Sequence, residues 1–153
     1  MAINKVKEYF KKYKMEDKIL EFDVSSATVG MAAKALNCEP AHIAKSLSFD
    51  VNGDAILIIT AGDVKIDNAK YRLEFHTKAK MLKFDEVESR IGHAVGGVCP
   101  FAINDNVKVY LDTSLKQFEY VYPACGSNNS AIKLTIPELE KYSNYIKWID
   151  VTK

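Results

Sequence analysis

The stretch Ile43-Ala44-Lys45-Ser46-Leu47-Ser48-Phe49-Asp50-Val51-Asn52-Gly53-Asp54-Ala55-Ile56-Leu57-Ile58-Ile59-Thr60-Ala61 reads as a β-hairpin. Residues 43–51 alternate with period two, and residues 55–61 form a continuous apolar run. Asn52-Gly53 between them is the dipeptide that suits a two-residue turn with positive φ at both positions. The first strand is therefore half-buried, and the second is central and covered on both faces. Alternation puts Ile43, Lys45, Leu47, Phe49 and Val51 on one face of the first strand and Ala44, Ser46, Ser48 and Asp50 on the other. A two-residue turn pairs Val51 with Asp54, Phe49 with Ile56, Leu47 with Ile58 and Lys45 with Thr60. A three-residue turn slides Ala61 opposite Lys45 instead. Either way Lys45 is the one charged residue on an apolar face, at the end of the hairpin where a core opens to a pocket mouth. Such a lysine either snorkels to water or holds its ammonium in a concave site, ready for a carbonyl, carboxylate or phosphate.

Outward from the hairpin, Ile3, Val6, Phe10 and Tyr13 mark one face of an N-terminal helix whose lysines lie mostly elsewhere. A second helix is expected from about Ala27 to Leu36, capped by Ser25 or Ser26 and stopped before Pro40. Asp67 caps a helix from Asn68 to about Phe75, and Asp85 one from Glu86 to Arg90 that Gly92 ends. Further strands are expected near 107–112, 119–122, 131–135 and 145–151, with Pro137 opening a short helix. Hairpin strands with unevenly spaced helices make the class α+β.

The second informative run is Gly92-His93-Ala94-Val95-Gly96-Gly97-Val98-Cys99-Pro100-Phe101. Backbone without Cβ atoms approaches a ligand closely and aims N–H groups at it, so Gly96 and Gly97 form either a plain tight turn or a small oxyanion cradle. Nucleotide binding is disfavoured, because neither the dinucleotide fingerprint nor the P-loop spacing occurs. His93 suits a general base, an RNA contact or a hydrogen-bonded structural role. Cys99 has no flanking motif or evident base to make it a nucleophile, and Cys125 reads as a small buried hydrophobe. Gly126 with Ser127-Asn128-Asn129 makes a further turn able to close over a pocket.

The chain has 153 residues and a formal net charge of +1, which suits one domain and argues against wrapping nucleic acid by bulk electrostatics. Three cysteines without zinc or C-x-x-C spacing read as reduced thiols in a cytoplasmic protein. No metal, cofactor or membrane contact is expected, since no ligand spacing, apolar h-region or spanning run occurs.

These residues, in order, resemble the YbaK/ProX-type aminoacyl-tRNA deacylases, also called prolyl-tRNA synthetase-associated editing domains. The resemblance is carried by Ile43-Ala44-Lys45-Ser46-Leu47, Gly62-Asp63, Ile66-Asp67 with Lys70, Gly92-His93, Gly96-Gly97-Val98-Cys99-Pro100-Phe101, Asp112-Thr113-Ser114-Leu115 and Gly126. It runs from about Ser26 to Tyr142. It implies a mixed, barrel-like sheet with flanking helices, and metal-independent hydrolysis of the ester in a mischarged aminoacyl-tRNA. The tRNA implied is one for proline carrying a small amino acid such as Ala, Cys or Ser. The family's characteristic lysine falls on Lys45, the catalytic candidate. Thr60, His93, Gly96, Gly97, Val98 and Gly126 are the substrate-binding candidates. Implied partners are the acceptor end of aminoacyl-tRNA and an aminoacyl-tRNA synthetase; Lys65, Lys70, Arg72 and the first helix are candidates to meet the acceptor stem. A non-catalytic tRNA- or synthetase-binding module of the same fold is the alternative. Ala102 stands where the family's loop often has glycine, Ser127-Asn128-Asn129 departs from the cysteine-specific branch and Tyr122-Pro123-Ala124-Cys125-Gly126 from the alanine-specific one, so the amino acid removed stays open.

Overall fold

A computed structural model describes residues 2–153. Helix α1 (Ala2–Lys11) buries Ile3, Val6 and Phe10 along one stripe. Tyr13, expected on that stripe, lies beyond the helix end and stays 38 % exposed. A short strand β1 (Ile19–Glu21) follows, which the sequence pattern did not signal. Helix α2 (Val29–Leu36) is capped by Thr28, whose hydroxyl accepts from the Met31 N–H at 3.2 Å. The cap expected at Ser25 or Ser26 is thus displaced toward the C-terminus, which releases Ser26 from capping.

Strands β2 (Ile43–Val51) and β3 (Asp54–Ala61) pair antiparallel in the two-residue-turn register, Lys45 opposite Thr60. Asn52 and Gly53 take φ of 53° and 94°, as that turn requires. Asp67 caps helix α3 (Asn68–Phe75) by accepting from Ala69 and Lys70 N–H. Asp85 caps nothing: it lies inside a 3-10 turn, Phe84–Glu86, ahead of the short helix α4 (Val87–Ile91) that Gly92 ends at φ 113°. Then come β4 (Lys108–Asp112) and β5 (Tyr120–Pro123). The single strand expected over 131–135 is two, β6 (Ser130–Ile132) and β7 (Leu134–Thr135), in different sheets. Helix α5 (Ile136–Ser143) starts from a capping box between Thr135 and Glu138, and β8 (Lys147–Ile149) closes the order.

Six strands form one curled, half-barrel sheet in the order β7-β5-β2-β3-β4-β8, while β1 and β6 pair separately. The sheet is mixed: β2–β3 and β5–β7 run antiparallel, β2–β5, β3–β4 and β4–β8 parallel. Both faces are covered, which is why β3 carries an unbroken apolar run. Leu57, Ile59, Val109 and Leu111 face Val6 and Phe10 of α1, Ile91 of α4 and Leu139 of α5. Ile56, Ile58 and Phe49 face Tyr71 and Phe75 of α3, with Ile149 and Val151. Asp112 locks one end of this layer, its buried carboxylate accepting from Ser114 N–H (3.0 Å), Val151 N–H (2.9 Å) and the Thr152 hydroxyl (2.7 Å).

One edge of β2 is interrupted. Its pairing with β5 stops at Ala44, and the segment around Lys80–Leu82 takes up the same edge only from Ser48, with Leu82 N–H on Ser48 O (3.1 Å) and Asp50 N–H on Lys80 O (2.8 Å). Backbone groups repeat every second residue along a strand, so Ser46 presents its N–H and C=O to that edge inside the gap.

Candidate active site

A cavity of about 400 Å³ opens at this gap. Ser26 and Ala27 wall it from the approach to α2, Ala44 to Ser46 and Ser48 from β2, and Gly96 with Val98 from the glycine loop. Ala124 and Ala131 lie on the side of β5 and β6. Met81, Phe84 and Val95 stand at its lining with 57 %, 79 % and 48 % of their surface exposed, so the mouth is apolar.

Lys45 is part of the cavity lining at the start of β2, and its ammonium donates to the Val64 carbonyl. Gly62 makes that contact possible. A Cβ there would stand 2.2 Å from the Pro40 carbonyl oxygen, so only glycine lets the Gly62–Val64 segment lie so close. Burial holds the lysine below its ordinary pKa; Asp63 pulls it back up, and Lys65 pushes it further down. An ammonium has three N–H donors, so two remain after Val64 for a ligand.

The glycine loop divides its work. Gly96, at φ 98°, lines the cavity against Ala27 and Asn128. Gly97 does not: its N–H donates to Ala94 O (3.0 Å), its carbonyl accepts from Gly126 N–H (3.0 Å), and a Cβ would meet Ser127 N at 2.6 Å. Gly126, at φ 92°, packs on Ala2 and Val6 of α1 instead of facing the cavity. The turn after Gly126 fixes the cavity wall rather than closing over its mouth. Ser26 N–H donates to Asn128 O (2.6 Å), Phe22 N–H to Asn129 O (2.8 Å), and the Asn129 amide to Phe22 O (3.0 Å).

Of the residues singled out from the sequence, Lys45, Gly96 and Val98 therefore meet at one cavity, while Thr60, His93, Gly97 and Gly126 lie behind it. Thr60 is fully buried opposite Lys45 and donates to Ala61 O (3.0 Å). His93 is fully buried, with Nε2 2.7 Å from Phe101 O; a carbonyl only accepts, so Nε2 carries the proton. Burial pushes His93 below its ordinary pKa, against the pull of that carbonyl. Cys99 lies 3.4 Å from the same nitrogen, which carries its proton toward Phe101 O and so offers the thiol no base. Both are sealed in the core, and burial pushes the Cys99 thiol up to about 12, far from a thiolate. Lys70, a candidate for the acceptor stem, is held by Asp150 (3.0 Å) and Thr152 O (2.9 Å). Among the described residues no three His, Cys, Asp or Glu side chains gather as metal ligands do, and no helix is long and apolar enough to cross a membrane.

Two residues the sequence reading passed over complete the wall. Ser26 and Ser46 line the cavity, and their hydroxyls are buried with no hydrogen-bond partner among the described residues. The signal for Ser46 was present: Ala44, Ser46 and Ser48 are three small side chains on one strand face, which leaves room. Ser26 gave no such signal, because Ser25, Ser26 and Thr28 compete for one cap.

The chain matches the model of the aminoacyl-tRNA editing domain over residues 24–142. It is 50 % identical to the uncharacterized protein YwhH of Bacillus subtilis (strain 168), over all of this chain and 98 % of that one. It is 29 % identical to a proline–tRNA ligase of Lysinibacillus sphaericus over 58 % of this chain and 16 % of the ligase. Among solved structures, a proposed trans-editing enzyme for prolyl-tRNA synthetase superposes with a TM-score of 0.88 at 25 % identity, covering 99 % of this chain and 97 % of that one. The ordered motifs from Lys45 to Gly126, the curled mixed sheet and the matched span agree, and the chain belongs to the aminoacyl-tRNA editing domain family.

Proposed function

We propose that this protein hydrolyses, in trans, the ester linking a small amino acid such as Ala, Cys or Ser to a mischarged tRNA for proline. The observation that supports the reading is that Lys45, Gly96 and Val98 line one small, largely apolar cavity. Such an enzyme answers a physical limit, since a synthetase pocket rejects an amino acid smaller by one methylene by only about 1–3 kcal/mol. A second site that admits only small side chains removes the error.

An aminoacyl ester is already activated, so positioning and charge stabilisation suffice. Water attacks the carbonyl carbon, negative charge builds on the carbonyl oxygen, and the bond from that carbon to the ribose oxygen breaks. One proton of the water ends on the departing ribose oxygen, the other passes to solvent, and the amino acid leaves as its carboxylate. Lys45 donates to the carbonyl oxygen, opposite the backbone of Gly96 and Val98. Gly97, Gly126, Thr60 and His93 act by holding that wall in place. Phe84 at the mouth offers a face on which the terminal base of the acceptor end stacks. No step in this sequence calls on a metal or cofactor.

The test is incubation of the purified protein with tRNA charged with Ala, Ser, Cys or 2-aminobutyrate, following surviving ester against time. Faster loss than in buffer supports the reading. Retardation of the tRNA in a gel without any faster loss of ester would instead make the protein a binding module, and the hydrolytic reading would fall.

A further inference from the structure

Ser46 meets the cavity with its backbone rather than its hydroxyl. The hydroxyl is shut off from solvent, yet the residue as a whole is only half-buried. The surface that it gives the cavity lining therefore belongs to its main chain and Cβ. Ser48 and Asp50 bond outward, away from β3, to Leu82 and Lys80, so the main-chain groups of Ser46 point to the same edge. Both neighbours on that edge stop short of it. The parallel pairing with β5 ends at Ala44 opposite Pro123. On the other side Leu82 N–H reaches Ser48 O, and the chain then turns off into the Phe84–Glu86 turn. The stretch from Ala44 to Ser48 is ~13 Å long, and within it neither ladder gives Ser46 N–H or C=O a partner. Backbone groups away from bulk water are nearly always paired. This edge suits a ligand with one donor and one acceptor at the spacing of a strand residue.

We infer that the edge holds the aminoacyl unit as a single added strand residue, its α-ammonium donating to Ser46 O and its ester carbonyl oxygen accepting from Ser46 N–H. The inference rests on the deacylase reading above and names the groups that orient its substrate. An aminoacyl ester has the N–Cα–C=O sequence of a residue, and two residues opposite each other in an antiparallel ladder exchange this pair of bonds. The direction follows from Lys45. Ser46 N is bonded to the Lys45 carbonyl carbon, so an ester carbonyl held there lies at the Lys45 end. A unit running parallel to β2 would put its carbonyl at Ser48 instead. A carbonyl oxygen has two lone pairs, so Ser46 N–H and the Lys45 ammonium share it. Residues directly opposite in a ladder send their side chains to one face. An L side chain therefore enters on the Ser46 side of β2, where Ala44, Leu82, Val98 and Ala124 pack together and line the cavity. A D side chain would leave on the opposite face, that of Lys45 and Leu47.

The experiment takes the amino acid whose ester wild type clears fastest and compares three esters on one tRNA. These are the L-aminoacyl ester, its D-enantiomer and its L-α-hydroxy analogue (lactyl in the case of alanine). Each single-turnover rate is divided by the rate in buffer, which removes the intrinsic difference between the esters. Expected is an acceleration at least about tenfold smaller for the α-hydroxy ester, which loses the charge-assisted bond to Ser46 O. The D-ester should lose about as much. Equal acceleration of the L-aminoacyl and α-hydroxy esters would overturn the inference while leaving the deacylase standing, and so would equal acceleration of the two enantiomers. No acceleration of any ester would remove the deacylase reading itself, and this inference with it. A second readout is amide hydrogen exchange by NMR with the saturating 3′-aminoacylamino analogue of the same L-aminoacyl-adenosine. Exchange at the Ser46 N–H should slow at least about tenfold. Unchanged exchange at Ser46 would overturn the inference whatever the ester preferences.

Discussion

Two corners of this molecule carry side chains associated with catalysis, and they differ in what surrounds them. At the start of β2, Lys45 meets a cavity with two of its three donors uncommitted. Behind the glycine loop, His93 and Cys99 stand 3.4 Å apart, as a nucleophile and its base would, yet both are wholly buried and bonded to Phe101 O. A reactive pair needs access and a thiolate, and this one has neither. The proposed site follows unsatisfied capacity at a surface opening rather than the most reactive residue types.

The sharpest way to break that contrast is Lys45→Met, which keeps the apolar stem and removes the charge. It should slow ester hydrolysis about a hundredfold, in line with loss of one oxyanion donor, and leave the far-ultraviolet spectrum unchanged. Gly97→Ala should come next. Its Cβ would press on backbone atoms of Gly126 and Ser127, at 2.7 Å and 2.6 Å, so a urea melt should show a loss of about 2 kcal/mol. Activity should fall with the displaced Gly96–Val98 wall. Cys99→Ala should cost only about 1 kcal/mol of stability through lost packing, with the hydrolysis rate within about twofold of wild type. A Cys99→Ala variant without activity would reverse the roles of the two corners.

The smallest effect concerns His93 and pH. Its native pKa lies below the ordinary value of 6.5, so the unfolded chain binds a proton more readily than the folded one. The stability it contributes is present above pH 6.5 and is lost as pH falls from there through the lowered native value. Urea melts at pH 7.5 and 5 should therefore show a larger loss for wild type than for His93→Gln. Equal losses would mean that His93 is not held neutral by burial.

The hairpin was legible because its signals are local: alternation in β2, an apolar run in β3 and the Asn52-Gly53 turn between them fixed the register that places Lys45 opposite Thr60. The sheet's mixed order was not, since parallel neighbours such as β3 and β4 are chosen by tertiary packing across long connections. β1 escaped notice because three residues carry too little periodicity, and 131–135 read as one strand because sequence does not mark where a chain leaves one sheet for another. Within the site, Lys45 stood out as a charge among apolar neighbours, and Gly96-Gly97 as an unusual pair. What separated Gly96, on the cavity, from Gly97, bonded to Ala94 and Gly126, is a contact between loops distant in sequence. The same holds for Ser26 and Ser46, which come to the cavity wall only in the folded chain.

The most direct measurement is a crystal structure with 3′-deoxy-3′-(serylamino)adenosine, in which a stable amide replaces the ester. The expected result places the amide oxygen within hydrogen-bonding distance of Lys45 Nζ, against the Gly96–Val98 backbone. Analogue bound away from this cavity, or seated in it with Lys45 still turned only to Val64, would contradict the assignment of Lys45 as the catalytic group.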